Sequence, residues 1–333
     1  MELQRRALTS ELLDPRRRFD LVQGQVEVRW DPLTRHSARL VVSGALMPPN
    51  DFDLEAFARE AQITCPFCAD RLEAQTPRLP ARICEQGRIR RGDAVLFPNL
   101  LTYAKHSSVS VYSPALHYLP LERMTPRLVA DNLAAQVAFD RAVLAADPDA
   151  QWVSINANHM LPSGSSLFHP HLQGSVDPVP TTMQQQLVDV PTAQFDAYLA
   201  TERAAGERYL GSSGRVEWLA SFAPLAPCEL RAFIPEVVSP AELDDELVEE
   251  LGAGIATALN LYAEMGFQSF NMAIYGAPAG TLGYPLNLRL ACRSNVHTVY
   301  RSDSTYYERL HWEAAVDITP EELAERAGQR FRR

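Results

Sequence analysis

The sequence predicts a mixed α+β protein, and three observations carry that prediction. Short β-type runs are scattered along the whole chain. Two long segments, Thr125 to Ala146 and Pro240 to Met265, place apolar residues at three- and four-residue spacing, the period of a helix face. The order strand, long helix, strand, polar loop occurs twice, an internal-duplication signal with a period of roughly half the chain.

Taken in order, Gln25 to Trp30 alternates and meets Asp31-Pro32, so it reads as a strand entering a turn. Arg39 to Ser43 reads as a second strand, and Phe52 to Ala61 as a short helix. Ala94 to Phe97 and Ser108 to Tyr112 are β-type runs, each broken by Pro. Thr125 can cap the first long helix, with Pro126 at its first position. Trp152 to Ile155 reads as a strand, followed by a polar, Gly-containing loop over Asn156 to Ser166. In the second half, Cys228 to Ile234, Ser269 to Tyr275 and Asn287 to Cys292 read as strands. The helix from Pro240 carries acidic residues early, where the helix dipole favours them. Thr319 to Arg330 is a closing helix, with Thr319 as cap and Glu322 three residues on. Ala204 to Gly214 is small, polar and charged, and is the expected connector between halves.

With 333 residues, 46% of them hydrophobic, the chain can bury a large core in one big domain or two packed ones. A net charge of −10 argues against a dedicated nucleic-acid surface, which needs clustered Lys and Arg. It leaves room for phosphate-bearing small molecules, which a few local donors can hold. Met1 to Asp20 carries five Arg and no continuous apolar run, unlike a signal peptide or a membrane anchor. No stretch reaches the roughly 20 apolar residues of a spanning helix. The expectation is a cytoplasmic protein with no membrane partner.

The densest polar segment runs from Asn158 to Gly174 and contains His169-Pro170-His171-Leu172-Gln173. Two His at i and i+2 on an extended strand point to one face, and Pro170 stiffens the backbone between them. Imidazole is a good nucleophile toward phosphorus at neutral pH because much of it is unprotonated. Gln173 can offer an amide N–H to a phosphoryl oxygen. Gly164, Ser165 and Ser166 form a small-residue loop that admits phosphate close to the backbone. The alternative is a satisfied pair of histidines with no chemistry.

Cys65-Pro66-Phe67-Cys68 offers two thiolates at the spacing of half a tetrahedral zinc site. No second such pair exists, so the remaining ligands must be His. His117 and His169 are the candidates, and His106, His159, His297 and His311 compete with them. A redox pair and unliganded thiols are the alternatives. Cys84, Cys228 and Cys292 sit among apolar residues and read as buried fillers.

Together these residues resemble galactose-1-phosphate uridylyltransferases, the transferase branch of the histidine-triad superfamily, and the resemblance is spread along the whole chain. Asp31-Pro32-Leu33-Thr34 is similar to the family's N-terminal strand-turn. Cys65 and Cys68 are similar to its zinc pair, and Phe97-Pro98-Asn99 to its uridine-proximal Asn segment. Tyr112-Ser113-Pro114 leading to His117 resembles its third zinc-ligand region, with one extra residue. Asn158, Gly164, Ser166, His169, His171 and Gln173 fall at the family's motif spacing. There the first His is a zinc ligand, the second the nucleophile, and the Gln binds the phosphoryl group. Met272 to Pro278 resembles the family's Met-rich strand, and Tyr307-Glu308 the pair that reads the sugar, after a one-residue insertion.

The departures are specific. Tyr275 stands where a ligand of a second metal would be, and Pro285 to Leu290 lacks a His-x-His, so no second metal is expected. The family's Arg after the strand at Leu40 to Ser43 is replaced by Gly44 to Pro48, so one nucleotide contact is expected to be missing or to be supplied elsewhere, with Arg88 and Arg90 as the candidates.

The resemblance implies two histidine-triad-like halves, an antiparallel half-barrel sheet flanked by helices: residues 1–200 with the zinc site and nucleophile, and 215–333 as a degenerate second half. It implies a ping-pong transfer of a nucleoside monophosphate, UMP in the family, between a nucleoside diphosphate sugar and a sugar 1-phosphate. His171 would carry the nucleotide, with the His169 carbonyl holding its far ring nitrogen. Gln173 and Ser166 would neutralise phosphoryl charge, and Asn99 and Asn158 would contact nucleotide. One structural zinc on Cys65, Cys68, His117 and His169, and a homodimer, complete the expectation. Three rivals stand beside it: a phosphorylase of ADP-glucose or of a dinucleoside polyphosphate, a zinc hydrolase with an open metal, and a non-catalytic nucleotide-binding protein.

Overall fold

A computed structural model describes residues 1–41, 52–297, 302 and 304–332. The chain opens with a long hairpin, β1 (Arg5–Asp14) and β2 (Asp20–Trp30), followed by β3 (Ser37–Val41), α1 (Leu54–Gln62) and α2 (Leu72–Gln75). Then come β4 (Ile89–Arg91), β5 (Ala94–Pro98), β6 (His106–Val111), α3 (Pro126–Ala146), β7 (Trp152–His159) and β8 (His171–Asp177). Two helices, α4 (Thr182–Val188) and α5 (Thr192–Ala205), lead into β9 (Tyr209–Ser213), β10 (Val216–Ala220), β11 (Leu230–Ile234) and α6 (Asp245–Glu264). The chain closes with β12 (Ser269–Tyr275), β13 (Leu286–Arg293), α7 (Tyr306–Leu310), β14 (Ala314–Val316) and α8 (Pro320–Ala327).

Ten strands form one open antiparallel sheet in the order β4-β5-β6-β8-β7-β12-β13-β11-β10-β9. Read inward from either edge, the two halves have the same order, each with its long helix between its third and fourth strands in sequence. They join where β7 pairs with β12, Asn158 opposite Asn271 and Asn156 opposite Ala273. The fold is thus α+β with an antiparallel sheet, as expected, and the sheet does not close into a barrel. A second sheet, β1-β2-β3-β14, ends in a parallel pair that ties the C-terminal segment to β3.

The two long helices, α3 and α6, cover one face of the large sheet. Thr125 accepts from the Leu128 amide and Asp244 from the Leu247 amide, so both long helices start on side-chain caps. Val129, Leu133 and Val137 of α3 and Leu251, Ile255 and Leu259 of α6 meet Ile155, Ala157, Leu172, Phe270, Met272 and Ile274 of the sheet. Even residues of β8 therefore face the helices, and His171, Gln173 and Ser175 face the other way.

In the C-terminal half that other face is filled. Asp31 is fully buried and pairs with Arg231 at 3.0 Å and Arg289 at 3.3 Å. Its carboxylate also accepts from the amides of Leu33 and Thr34. Glu229 takes the other side of Arg289, and Leu33, Phe195, Tyr198, Phe233 and Tyr284 pack over this face.

Several elements differ from expectation. Ala204 to Gly214 is not simply a connector: β9 occupies Tyr209–Ser213, with Leu210 and Ser213 buried. Its Gly and Ser content suits the sheet's outer edge and hid it. The loop expected from Asn156 begins later, because β7 runs to His159. The helix expected from Pro240 starts with a 3-10 turn, Pro240–Glu242, and becomes α-helical at Asp245. The Gly44 to Pro48 segment lies outside the described residues.

Burial alone would raise the Asp31 carboxyl, but Arg231 and Arg289 hold it well below the usual carboxylate range. Replacing it by Asn leaves two buried guanidinium groups with less negative charge. Asp31→Asn is expected to lower unfolding free energy at neutral pH by about 3–5 kcal/mol in chemical denaturation. Because the folded pKa lies below the unfolded value of about 3.9, the wild-type advantage is complete above that value and shrinks as pH falls below it.

Candidate active site

Two local structures meet at the start of β8. The first is a cluster of Cys65, Cys68, His117 and His169, all buried, whose ligand atoms lie within 4.8 Å of one another. Cys65 Sγ stands 3.7 Å and Cys68 Sγ 3.8 Å from His169 Nδ1, and Cys68 Sγ is 3.4 Å from His117 Nδ1. Tetrahedral ligands at the bond lengths usual for zinc stand about 3.5 Å apart. The donor set and its spacing therefore fit one metal ion with no open position. His169 Nε2–H donates to the Ser113 carbonyl at 2.9 Å, which turns the Nδ1 lone pair toward the cluster. Burial lowers the His169 pKa to about 4 and raises the Cys65 thiol to about 11. A metal would thus meet neutral imidazoles and displace thiol protons. Arg71 braces the loop by donating to the carbonyls of Gln62, Ile63 and Cys65.

The second structure is the face beside this cluster. His171 Nδ1–H donates to the carbonyl of His169 at 2.8 Å, which leaves Nε2 with the free lone pair. Burial lowers the His171 pKa, and the His169 carbonyl offsets only part of that shift, so the ring is neutral at pH 7. The Phe67 ring, from the middle of the Cys pair, packs edge-on against it at 5.5 Å. Gln173 lies two residues along the same face, opposite Asn156. Gly174 between strands has no room for a side chain: a Cβ would come within 2.3 Å of Gln136 Oε1 and 2.5 Å of Ser108 Oγ. Those two side chains hydrogen-bond each other behind β8, and Gln136 also donates to Ser110.

The loop from Met160 to Phe168 borders this face. Met160 (φ 68°) and Gly164 (φ 93°) both take the left-handed region, and nothing lies within 4 Å of a Cβ built on Gly164. Gly164 and Ser166 are exposed, whereas the Ser165 hydroxyl is spent on the Leu167 carbonyl at 2.7 Å. Asn158 Oδ1 accepts from Asn271 Nδ2 at 2.7 Å, and Asn271 also reaches the Ser163 carbonyl at 2.9 Å. One amide from the second half thus braces both β7 and the loop. Asn99 is on the same face two side-chain steps from the His171 row, about 13 Å along the strand. Its Oδ1 accepts from the Leu101 amide.

Other expected residues stand elsewhere. Tyr307 and Glu308 lie on α7, Tyr307 beneath the Arg39 guanidinium at 5.1 Å. Glu308 lines a 690 Å³ cavity with His36, Thr181, His311 and Trp312, and His171 is not part of its wall. Arg88 is buried against Glu73 and the carbonyls of Leu72, Thr76 and Pro77, and Arg90 pairs with Glu73. Cys228 and Cys292 are buried fillers, but Cys84 is half-buried. Sequence reasoning missed Asn271, Phe67 as the ring against His171, and the Arg71 brace. Only Phe67, inside the Cys pair, had a local signal.

A Cys65→Ala/Cys68→Ala variant is expected to retain no bound metal by elemental analysis, where the wild-type chain holds one equivalent. Its thermal unfolding midpoint should fall as well.

No protein-family model matches the sequence. An uncharacterized protein of Archaeoglobus fulgidus is 31% identical over 308 residues, covering 90% of this chain and 90% of its own. Among solved structures, an ADP-glucose phosphorylase from Arabidopsis thaliana with bound ADP-glucose aligns at a TM-score of 0.67 and 18% identity, over 91% of this chain and 98% of its own. A GalT-like protein from Arabidopsis thaliana aligns at 0.66 and 18% identity, over 90% and 97%. A uridylyltransferase aligns at 0.57 and 21% identity, over 91% and 98%. The chain belongs to one family with the Archaeoglobus fulgidus protein, and its fold is that of the ADP-glucose phosphorylase, the GalT-like protein and the uridylyltransferase.

Proposed function

We propose that this chain is a nucleotidyltransferase that moves a nucleoside monophosphate, UMP in the first reading, between a nucleoside diphosphate sugar and a sugar 1-phosphate. The observation that carries the reading is the His171 imidazole: neutral, its Nδ1–H held by the His169 carbonyl, its Nε2 free. In the first half-reaction Nε2 attacks the α-phosphorus. The P–N bond forms, the bond to the bridging oxygen breaks, and the sugar 1-phosphate leaves with that oxygen. The imidazolium so formed keeps its Nδ1 proton on the His169 carbonyl. In the second half-reaction a phosphate oxygen of the acceptor attacks, and the P–N bond breaks. Gln173, Ser166 and the amides near Gly164 neutralise charge on the transferring phosphoryl group, the main source of catalysis in such reactions. Asn99 and Asn158 contact the nucleotide, and Tyr307 and Glu308 read the sugar.

Zinc is the metal in this reading, held by Cys65, Cys68, His117 and His169, and it fixes the start of β8. Residues 1–200 act as the catalytic half and 215–333 as the supporting half. The protein works as a cytoplasmic homodimer; among the described residues no helix is long and apolar enough to cross a membrane.

A second reading, phosphorolysis of ADP-glucose, differs only in the acceptor: inorganic phosphate replaces the sugar phosphate. It is favoured by the likeness to an ADP-glucose phosphorylase and by the position of Glu308 in a cavity that His171 does not line.

Intact mass spectrometry after incubation with UDP-glucose or ADP-glucose tests both readings. One nucleotide's mass is expected on the wild-type chain and none on His171→Ala; product release with no adduct from any donor would sink the covalent mechanism. The donor that labels the protein, and release of the label by phosphate or by hexose 1-phosphate, separates the readings. Gln173→Ala is expected to lower kcat about 10²- to 10³-fold, measured in single-turnover transfer, while His171 can still be labelled slowly.

A further inference from the structure

Two cysteines that the proposed chemistry does not use face each other across strands. Leu230 of β11 pairs with Leu290 of β13, and the same register carried two residues on sets Cys228 opposite Cys292. Cys228, at φ 54°, kinks the entry to β11, in a left-handed conformation uncommon for a residue with a side chain. The pairing continues past it: the Cys292 amide donates to the Pro227 carbonyl at 3.1 Å, and the Cys292 thiol to the same oxygen at 3.2 Å. The Tyr262 hydroxyl of α6 stands between the strands, 2.6 Å from the Cys228 carbonyl and 2.9 Å from the Leu290 carbonyl. Both cysteines are free and buried in the core under α6, Cys228 at 3% exposure and Cys292 at 0%. Burial pushes the Cys292 thiol up, and contact with the Cys228 thiol pushes it further. Opposed residues of antiparallel strands stand about 4.5–5.5 Å apart at Cα, inside the range a disulfide spans.

We propose that Cys228 and Cys292 are a modification site, closing to a reversible disulfide that staples β11 to β13 when a two-electron oxidant such as hydrogen peroxide is present. Cys228 is the entry point, because it ends the loop between β10 and β11, whereas Cys292 lies inside a strand. Peroxide gives one oxygen to the Cys228 sulfur, forming a sulfenic acid, and its other oxygen leaves as water. The Cys292 sulfur then attacks the Cys228 sulfur, the S–S bond forms, and the sulfenic oxygen leaves as a second water with the Cys292 proton. Two thiols are oxidised and one peroxide is reduced. Burial keeps the step slow, since a raised thiol pKa leaves little thiolate. The chain between the two cysteines contains α6 and β12, so the bond restricts the unfolded state and stabilises the C-terminal half. The staple rests on no part of the phosphoryl site.

The test uses the full, metal-loaded chain carrying Cys84→Ala, in which the other thiols are the cluster pair Cys65 and Cys68. The folded protein is held with hydrogen peroxide, the remaining thiols are blocked, and peptides are mapped without reductant. One pair of peptides joined through Cys228 and Cys292 is expected, separated again by dithiothreitol. The denaturant midpoint should rise on oxidation and return when dithiothreitol is added. Cys292→Ala and Cys228→Ala, each on the same background, should show neither the joined peptides nor the reversible rise. Cys228 and Cys292 both recovered as blocked thiols, Cys228 joined to Cys65 or Cys68 instead, Cys228 carried on to a sulfinic acid, or a reversible rise that survives in either alanine variant would each overturn the proposal.

Discussion

The hydrogen bond from His171 Nδ1 to the carbonyl of His169 joins the two parts of the site. One residue serves both: the His169 side chain enters the Cys–His cluster while its carbonyl sets the tautomer of His171 two residues on. Pro170 between them has no N–H to compete for that carbonyl and a fixed φ that limits its swing. Any displacement of the cluster therefore moves the acceptor that aims Nε2. Phe67 repeats the coupling from the other side, since it sits between the two cysteines and packs on both imidazoles.

Burial is what makes this arrangement chemically useful. In open solvent an imidazole near neutrality is partly protonated and its lone pair partly lost. Here burial lowers the pKa of His169 and His171, so both rings are neutral. Each spends one nitrogen on a backbone carbonyl, Ser113 for the first and His169 for the second. That leaves Nδ1 free on one ring, facing the Cys–His cluster, and Nε2 free on the other. Two histidines two residues apart are differentiated by which carbonyl each finds, not by their side-chain chemistry.

Much of this was legible locally. The His-Pro-His-x-Gln segment and the Cys pair are runs of a few residues that stand out by their spacing. The long helices announced themselves through caps and periodicity. What stayed hidden depends on long-range pairing. Asn271 lies 113 residues from Asn158 and braces it only because β7 and β12 are neighbours. The carbonyl of Ser113 has no side-chain signature at all. β9 looks like a linker because an edge strand tolerates Gly and Ser. Arg88 looks like a free cation in sequence, yet it is buried and donates to the Glu73 carboxylate and to four carbonyls around α2.

The two halves of the sheet share a strand order but differ in the side chains on the face away from α3 and α6. A single row of side chains runs across the sheet face: Gln173, Asn156, Ala273, Arg289, Arg231. Its first half is polar and partly open; its second half carries two guanidinium groups under α5. Isolated, those cations would be too costly to bury. Asp31 and Glu229 offset them, and Asp31 comes from the turn that leaves β2. The ion network thus fills this face of the second half and, with the same carboxylate, anchors the N-terminal sheet to the C-terminal half. Filling this face and fastening the hairpin's base are two consequences of one buried charge.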